Sequence, residues 1–214
     1  MKKILKLIKN NYKWIIFSIC LILFLALAED VFNKEIMQGD IIGYNFVKTY
    51  LIKEQVTPIM KIVTFFGGAT CLIGLTIILF IIIKNKKIGL VIGINLITIT
   101  ILNQLFKFIL QRPRPTEYRI INESGYSFPS GHSMISMAFY GFLIYLIYKY
   151  VKNKKIKYIS ITLISALIIF IGISRIYLGV HYTSDVLAGF LFSISYLIIY
   201  VLIANNKVLN KNSK

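Results

Sequence analysis

At 214 residues, with 57% hydrophobic and only 15% charged side chains and a mean hydropathy of +0.74, the chain is too apolar for an ordinary soluble domain of this length. Its 25 Lys and Arg against 8 Asp and Glu give a net charge of +17. These charges fall in short clusters between long uncharged runs rather than on one polar face, which argues against nucleic acid as a partner and for the loops of a membrane protein.

In chain order the uncharged windows are Trp14 to Ala28, Ile62 to Ile83, Ile88 to Phe106, Ser133 to Tyr148, Tyr158 to Ser174 and Val186 to Asn206. A helix needs about 20 residues to cross the hydrocarbon core, so the first and fourth are short unless Lys13, Lys149 and nearby aromatics extend them by snorkelling. None shows the strict alternation of a membrane barrel strand. The expectation is an all-α, six-transmembrane helical bundle forming a single integral-membrane domain over residues 1–214. Between the first two spans, Val31 to Lys61 has apolar clusters too broken by charge to cross, and reads as an outer amphipathic helix or a loop. The Lys-rich start followed by Ala26-Leu27-Ala28 also resembles a cleavable secretory signal. Removing it would leave the orientation of the rest unchanged. Cys20 and Cys71 both lie in apolar stretches, so neither a disulfide framework nor a zinc cluster is expected.

Residues 1–13, Lys84 to Lys87, Lys149 to Lys157 and the tail from Lys207 together hold 16 basic residues and no acid, whereas all eight acids lie in the alternate segments. Counting Lys and Arg makes the first set cytoplasmic. The chain then lies in the cell membrane with both termini cytoplasmic, and three loops face the extracytoplasmic side.

Those outward segments concentrate residues that a membrane boundary does not favour. Both histidines, His132 and His181, and all four arginines, Arg112, Arg114, Arg119 and Arg175, lie there, with Lys107 at the end of the third span. An anion is the natural compensator. From Lys107 to Pro115 a helix ends at a Pro-x-Pro break, where Arg114 can grip phosphate oxygens as a bidentate fork and Lys107 as a point charge; lipid headgroups could satisfy the same pair. In Phe128-Pro129-Ser130-Gly131-His132, Ser130 can cap the fourth span and Gly131 lets a ligand approach the helix N-terminus, although such a string is also ordinary turn chemistry. From Ser174 to Asp185, Arg175 adds a third cation. If a helix begins near His181, then Asp185, four residues on, can orient its imidazole and leave one nitrogen free to attack.

Lys, six residues, Arg-Pro; Pro-Ser-Gly-His; and Ser-Arg, five residues, His, three residues, Asp occur in this order between residues 107 and 185. In these motifs and in its six-span layout the chain resembles the type-2 phosphatidic acid phosphatase family, the membrane branch of the superfamily that includes the vanadium haloperoxidases. The resemblance implies a hydrolase acting on a lipid phosphate. His181 would attack phosphorus to form a phosphohistidine, Asp185 would orient it, and His132 would protonate the leaving oxygen and then activate water. Lys107, Arg114, Ser130, Gly131 and Arg175 would hold the phosphoryl oxygens. The substrates implied are undecaprenyl pyrophosphate, phosphatidylglycerophosphate or phosphatidic acid, the first favoured on family grounds.

With few acids near the cations, no metal and no cofactor is expected. Arg112, Arg119, Glu117 and Glu123 match no motif and read as solvated or headgroup-facing, and Tyr118 and Tyr126 as belt residues. An anion transporter would need charged or broken positions at the midplane of several spans, and their middles carry none. A non-catalytic lipid-phosphate binder would be expected to lack a histidine or its acid. A soluble, vanadate-dependent halide oxidase would not need this much lipid-facing surface.

Overall fold

The computed structural model describes residues 2–35, 37–116 and 118–209, with side chains from residue 11 onward. Among the described residues, eight α-helices run in order: α1 Lys2–Phe32, α2 Gln38–Tyr50, α3 Thr57–Phe65, α4 Ala69–Ile82, α5 Lys86–Leu110, α6 Gly131–Tyr150, α7 Lys154–Tyr177 and α8 Thr183–Ala204. A short π-helical turn, Asn205–Leu209, extends α8. Five of these helices are long and apolar enough to cross a membrane. The sixth expected span corresponds to α3 and α4, which are long and apolar enough only as a pair and meet at 46° across Phe66, Gly67 and Gly68.

α6 stands at the centre, packed against α5, α7 and α8; α1 packs on α8, α3 on α7, and α4 on α5. α5 shows how a span divides its surface. Leu90, Ile94, Ile97, Ile101, Leu105 and Phe108 recur every three or four residues and are exposed, while Ile92, Asn95, Ile99 and Asn103 are buried. The first set forms one lipid-facing stripe and the second the bundle-facing one. Lipid is as apolar as the stripe, so burial of hydrocarbon discriminates weakly between the two faces, and polar contacts must help choose the inner one. Asn95 Nδ2 donates to the Ala138 carbonyl at 2.9 Å, Asn103 Nδ2 to that of Pro129 at 3.1 Å, and Ser193 Oγ to that of Met134 at 2.6 Å. Each such bond contributes about 0.6 kcal/mol on average in a membrane.

The spans start where the sequence supplies caps. Asn85 accepts from the Lys87 N–H at 3.1 Å and Asn153 from the Ile156 N–H at 3.1 Å, satisfying donors that a helix start leaves orphaned. α1 continues unbroken through Ala26, Leu27 and Ala28, and its Phe24 is buried among Phe106, Phe128 and Phe192.

The segment Val31 to Lys61, read as an amphipathic helix or a loop, contains both. α2 turns Asp40 and Val47 inward against α7 and α8 and leaves Ile41, Ile42, Phe46 and Tyr50 exposed. The second span begins five residues before the expected Ile62. Pro58 near the start of α3 suits a helix N-terminus, where its missing N–H costs nothing.

Candidate active site

The motif-bearing segments meet at one end of the bundle. α5 stops at Gln111, which takes the left-handed conformation (φ 45°) and still donates its N–H to the Lys107 carbonyl. Arg112 precedes Pro113 and Arg114 precedes Pro115, so both are held extended. Residues two apart in extended backbone share a face, and the two arginines reach adjacent places, Arg114 the turn between α7 and α8 and Arg112 the first turn of α8. Three backbone bonds pin the long loop there: Ser127 N–H to the Arg112 carbonyl at 2.8 Å, Ile120 N–H to that of Leu178 at 3.0 Å, and Ser130 N–H to that of Asp185 at 3.0 Å. The turn depends on Gly179, which has φ +69°. A Cβ there would lie 2.0 Å from the Tyr118 carbonyl oxygen.

A cavity of about 530 Å³ opens at this junction, and Lys107, Arg114, Gly131, His132, Arg175 and His181 all contribute to its wall. Apolar side chains continue the same wall: Leu72, Ile73, Leu96, Phe108 and Ile135. Ser130 and Asp185, fully buried, stand behind Gly131 and His181. Ser130 Oγ accepts from the Ser133 N–H at 3.4 Å and caps α6. The break between α3 and α4 reaches the site too, since a Cβ on Gly67 would come within 3.1 Å of His132 Cδ2 and 2.9 Å of Ser136 Oγ. Only glycine allows that approach.

His181 lies in the turn two residues before α8, rather than on the helix as the spacing suggested, while Asp185 lies in the first turn. The pair still meets: Nδ1 is 3.4 Å from Asp185 Oδ2 and 3.2 Å from Ser127 Oγ. The same carboxylate oxygen accepts from Ser127 Oγ and from the Tyr182 N–H at 2.8 Å. On the other side of the ring, Arg114 donates from Nη1 to Nε2 at 3.0 Å. A nitrogen that accepts carries a lone pair, so the ring proton belongs on Nδ1 beside the acid, and Nε2 presents its electrons to the cavity wall. Burial pushes the His181 pKa down to about 4, with Asp185 opposing and Arg114 and Arg175 adding to the shift. The imidazole is therefore neutral near pH 7.

The cations are held by neutral groups and one acid. Arg114 donates to the carbonyls of Gly125, Val180 and Ser124 at 3.0, 3.0 and 3.1 Å. Burial draws its pKa below the usual arginine range, opposed by Glu123 and reinforced by Arg175. Lys107 Nζ donates to the Tyr126 carbonyl. Arg175 donates to Thr64 Oγ1 at 2.7 Å and to Glu123 Oε1 at 2.6 Å. Its Nε and Asn103 Oδ1 are buried without a hydrogen-bond partner among the described residues, and both residues belong to the cavity wall.

Two residues read as solvated are engaged instead. Glu123 lines the cavity and pairs with Arg175. Burial raises its carboxyl, but the bond to Arg175 and the charges around it outweigh that and hold it below the usual range. Arg112 pairs with Asp40 and Asp185, each at 2.7 Å. Desolvation opposes its charge, and the two carboxylates overcome this and raise its pKa. Each departs from expectation for one reason: a charge in a loop that folds back over the bundle finds a protein counter-charge instead of water. Arg119 donates to the Pro115 carbonyl and stays exposed, whereas Glu117 lies outside the described residues. Tyr118 and Tyr126 are surface-exposed, yet Tyr118 stacks on Tyr44 at 5.0 Å and Tyr126 lines the cavity. Ser127, Asn103 and Asp40 carried no readable signal, because a lone polar residue in a loop, span or short helix fits many roles.

Residues 87–209 match the PAP2 superfamily. Among curated proteins, the chain is 31% identical to phosphatidylglycerophosphatase B of Bacillus subtilis (strain 168), over 78% of this chain and 84% of that one. It is 28% identical to an undecaprenyl-diphosphatase of Sulfolobus acidocaldarius, over 86% of each. Among solved structures it resembles the crystal structure of a transmembrane PAP2-type phosphatidylglycerolphosphate phosphatase from Bacillus subtilis, with a TM-score of 0.78 and 26% identity, covering 89% of this chain and 96% of that one.

Proposed function

The chain belongs to the PAP2 superfamily of membrane lipid phosphatases, and from that premise we propose that it removes the terminal phosphate of a lipid phosphate monoester or diphosphate through a phosphohistidine at His181. One observation carries the reading: the Nε2 lone pair of a neutral, acid-backed His181 stands on the same cavity wall as Lys107, Arg114 and Arg175. Nε2 attacks phosphorus, an N–P bond forms, and the bond from phosphorus to the lipid-side oxygen breaks. His132, protonated once the phosphate dianion offsets the cations beside it, delivers its proton to that oxygen. The neutral His132 then takes a proton from water, the resulting hydroxide attacks phosphorus, and the N–P bond breaks. Inorganic phosphate leaves, and His181 is restored with its lone pair. The three cations and the Gly131 N–H at the start of α6 stabilise the charge of both transition states.

The substrate class follows from the rest of the wall. Leu72, Ile73, Leu96 and Ile135 share that wall with the cations, which suits a phosphate on a hydrocarbon tail. The two curated relatives are named for phosphatidylglycerophosphate and undecaprenyl diphosphate, and both offer a terminal phosphate on such a tail. The cations supply the positive charge that a divalent metal would, and Glu123 is the sole carboxylate on the described wall, so we propose metal-independent turnover. By the Lys and Arg distribution, the site faces the extracytoplasmic side and both termini the cytoplasm.

The test is phosphate release from a panel of undecaprenyl diphosphate, phosphatidylglycerophosphate and phosphatidic acid by purified protein in detergent with EDTA. Wild type should turn over at least one, and His181→Ala should lose about 10³-fold or more. Equal rates in the two proteins would sink the phosphohistidine, and dependence on added Mg²⁺ would sink the metal-free claim. Protease added outside intact cells should cut within residues 112–127. Cutting from the cytoplasmic side alone would reverse the orientation.

A further inference from the structure

We infer that Arg112 and Asp40 form a positioning chain that anchors α2 to the catalytic acid and sets the direction in which Asp185 faces His181. This rests on the phosphatase reading above and adds residues outside its motifs. Arg112 Nη1 donates to Asp185 Oδ1 at 2.7 Å and to Ser184 Oγ at 2.7 Å, while Nη2 donates to Asp40 Oδ2 at 2.7 Å. The guanidinium also lies over the Tyr182 ring, 4.1 Å from its centroid. Asp40 is fixed in turn, accepting from the Ser184 N–H at 2.7 Å and Ser184 Oγ at 2.9 Å.

The chemistry requires such an anchor. Asp185 is fully buried, and its two oxygens have separate duties. Oδ2 faces His181 Nδ1, Ser127 and the Tyr182 N–H, and Oδ1 is taken by Arg112. A charged N–H on Oδ1, from a guanidinium itself held by Ser184 and Asp40, restrains the carboxylate from rotating and so keeps Oδ2 aimed at the imidazole proton. It also supplies the counter-charge without which a buried carboxylate is strongly disfavoured. Arg112 forms no part of the wall of the phosphate cavity. Its effect on the reaction therefore passes through Asp185 rather than through contact with the phosphate. Asp40 sits in the first turn of α2, whose opposite face exposes Ile41, Ile42 and Phe46, so this short helix is part of the support of the dyad.

The experiment is steady-state hydrolysis of a lipid phosphate in mixed micelles by wild type, Arg112→Gln, Arg112→Lys, Asp40→Asn and the Asp40→Asn/Arg112→Gln double variant, with thermal unfolding of each and His181→Ala as the blank. Arg112→Gln should lower kcat by about 10- to 100-fold with KM within about twofold, the signature of an interaction that acts in the chemical step. Arg112→Lys should recover part of that loss by keeping the charge. Asp40→Asn should cost less, and the double variant no more than Arg112→Gln alone, because members of one chain are not additive. A raised KM at unchanged kcat would make Arg112 a headgroup contact, and additive losses would dissolve the chain; either overturns the inference. Should Arg112→Gln not fold, the kcat and KM of Arg112→Lys and Asp40→Asn decide the question in the same way. Failure of wild type to release phosphate would instead strike the phosphatase reading.

Discussion

Arg114 donates to His181 Nε2 across 3.0 Å, so the guanidinium holds the lone pair that the proposed reaction uses. An incoming phosphoryl group offers Arg114 oxygens with full charge, a better partner than a neutral imidazole. Transfer of that bond from ring to substrate would release the nucleophile only when there is something to attack. Arg114→Lys keeps the charge but loses the fork and most of the carbonyl bonds, and should lower kcat/KM by about 10²- to 10³-fold. Steady-state kinetics on wild type and variant measure this. A loss below fivefold would mean that a point charge suffices.

The depressed pKa of His181 has a stability consequence. In the unfolded chain the ring titrates near 6.5, and in the folded protein near 4. The unfolded state therefore binds more protons between these values. The stabilising contribution of the neutral buried ring is present above about pH 6.5 and is lost as pH falls through the folded value, approaching about 3 kcal/mol. The Tm of wild type in detergent should fall more steeply from pH 7 to pH 4.5 than that of His181→Gln. Parallel curves would show that this ring does not titrate as described.

Glu123 presents a carboxylate to Arg175 at 2.6 Å on the wall of the cavity that would receive phosphate. Substrate must share or displace it. Glu123→Gln should therefore tighten inhibition by orthovanadate or inorganic phosphate by about tenfold, the scale of one charge-assisted bond. Inhibition constants for the two proteins check this. Weaker inhibition in the variant would mean that Glu123 orients Arg175 rather than competing for it.

Gly179→Ala places a Cβ on a left-handed residue and against the Tyr118 carbonyl. The conformation alone costs about 1–2 kcal/mol, and the close contact forces the loop that carries Arg114 away from the turn that carries His181. Both a lower Tm and a loss of activity at temperatures where the variant is still folded are expected. A drop in Tm with unchanged activity would show that the loop and turn move together.

Much of this protein was legible as sequence because the bilayer reads sequence locally. Long uncharged runs become helices wherever backbone groups have no other way to be satisfied, so six apolar segments could be counted in advance, though not the bend between α3 and α4. Lys107, Arg114, His132, Arg175 and His181 could be singled out because three motifs occur together, in one order, on the outward-facing segments, although each motif alone also fits headgroup or turn chemistry. The fixed short separation of His181 and Asp185 made their meeting foreseeable even though the helix start was misplaced.

What needed the tertiary structure was every partnership between residues distant in the chain. Arg112 differs from Arg114 in sequence only by position around Pro113, and nothing local says that one faces Asp185 and the other the imidazole. Asp40 lies 145 residues before Asp185, in a helix whose packing decides whether its charge meets water or Arg112. Glu123 and Gly67 are of the same kind. Periodicity and composition record how each segment meets its solvent, whereas the identity of a counter-charge is settled only when separate segments share one low-dielectric space.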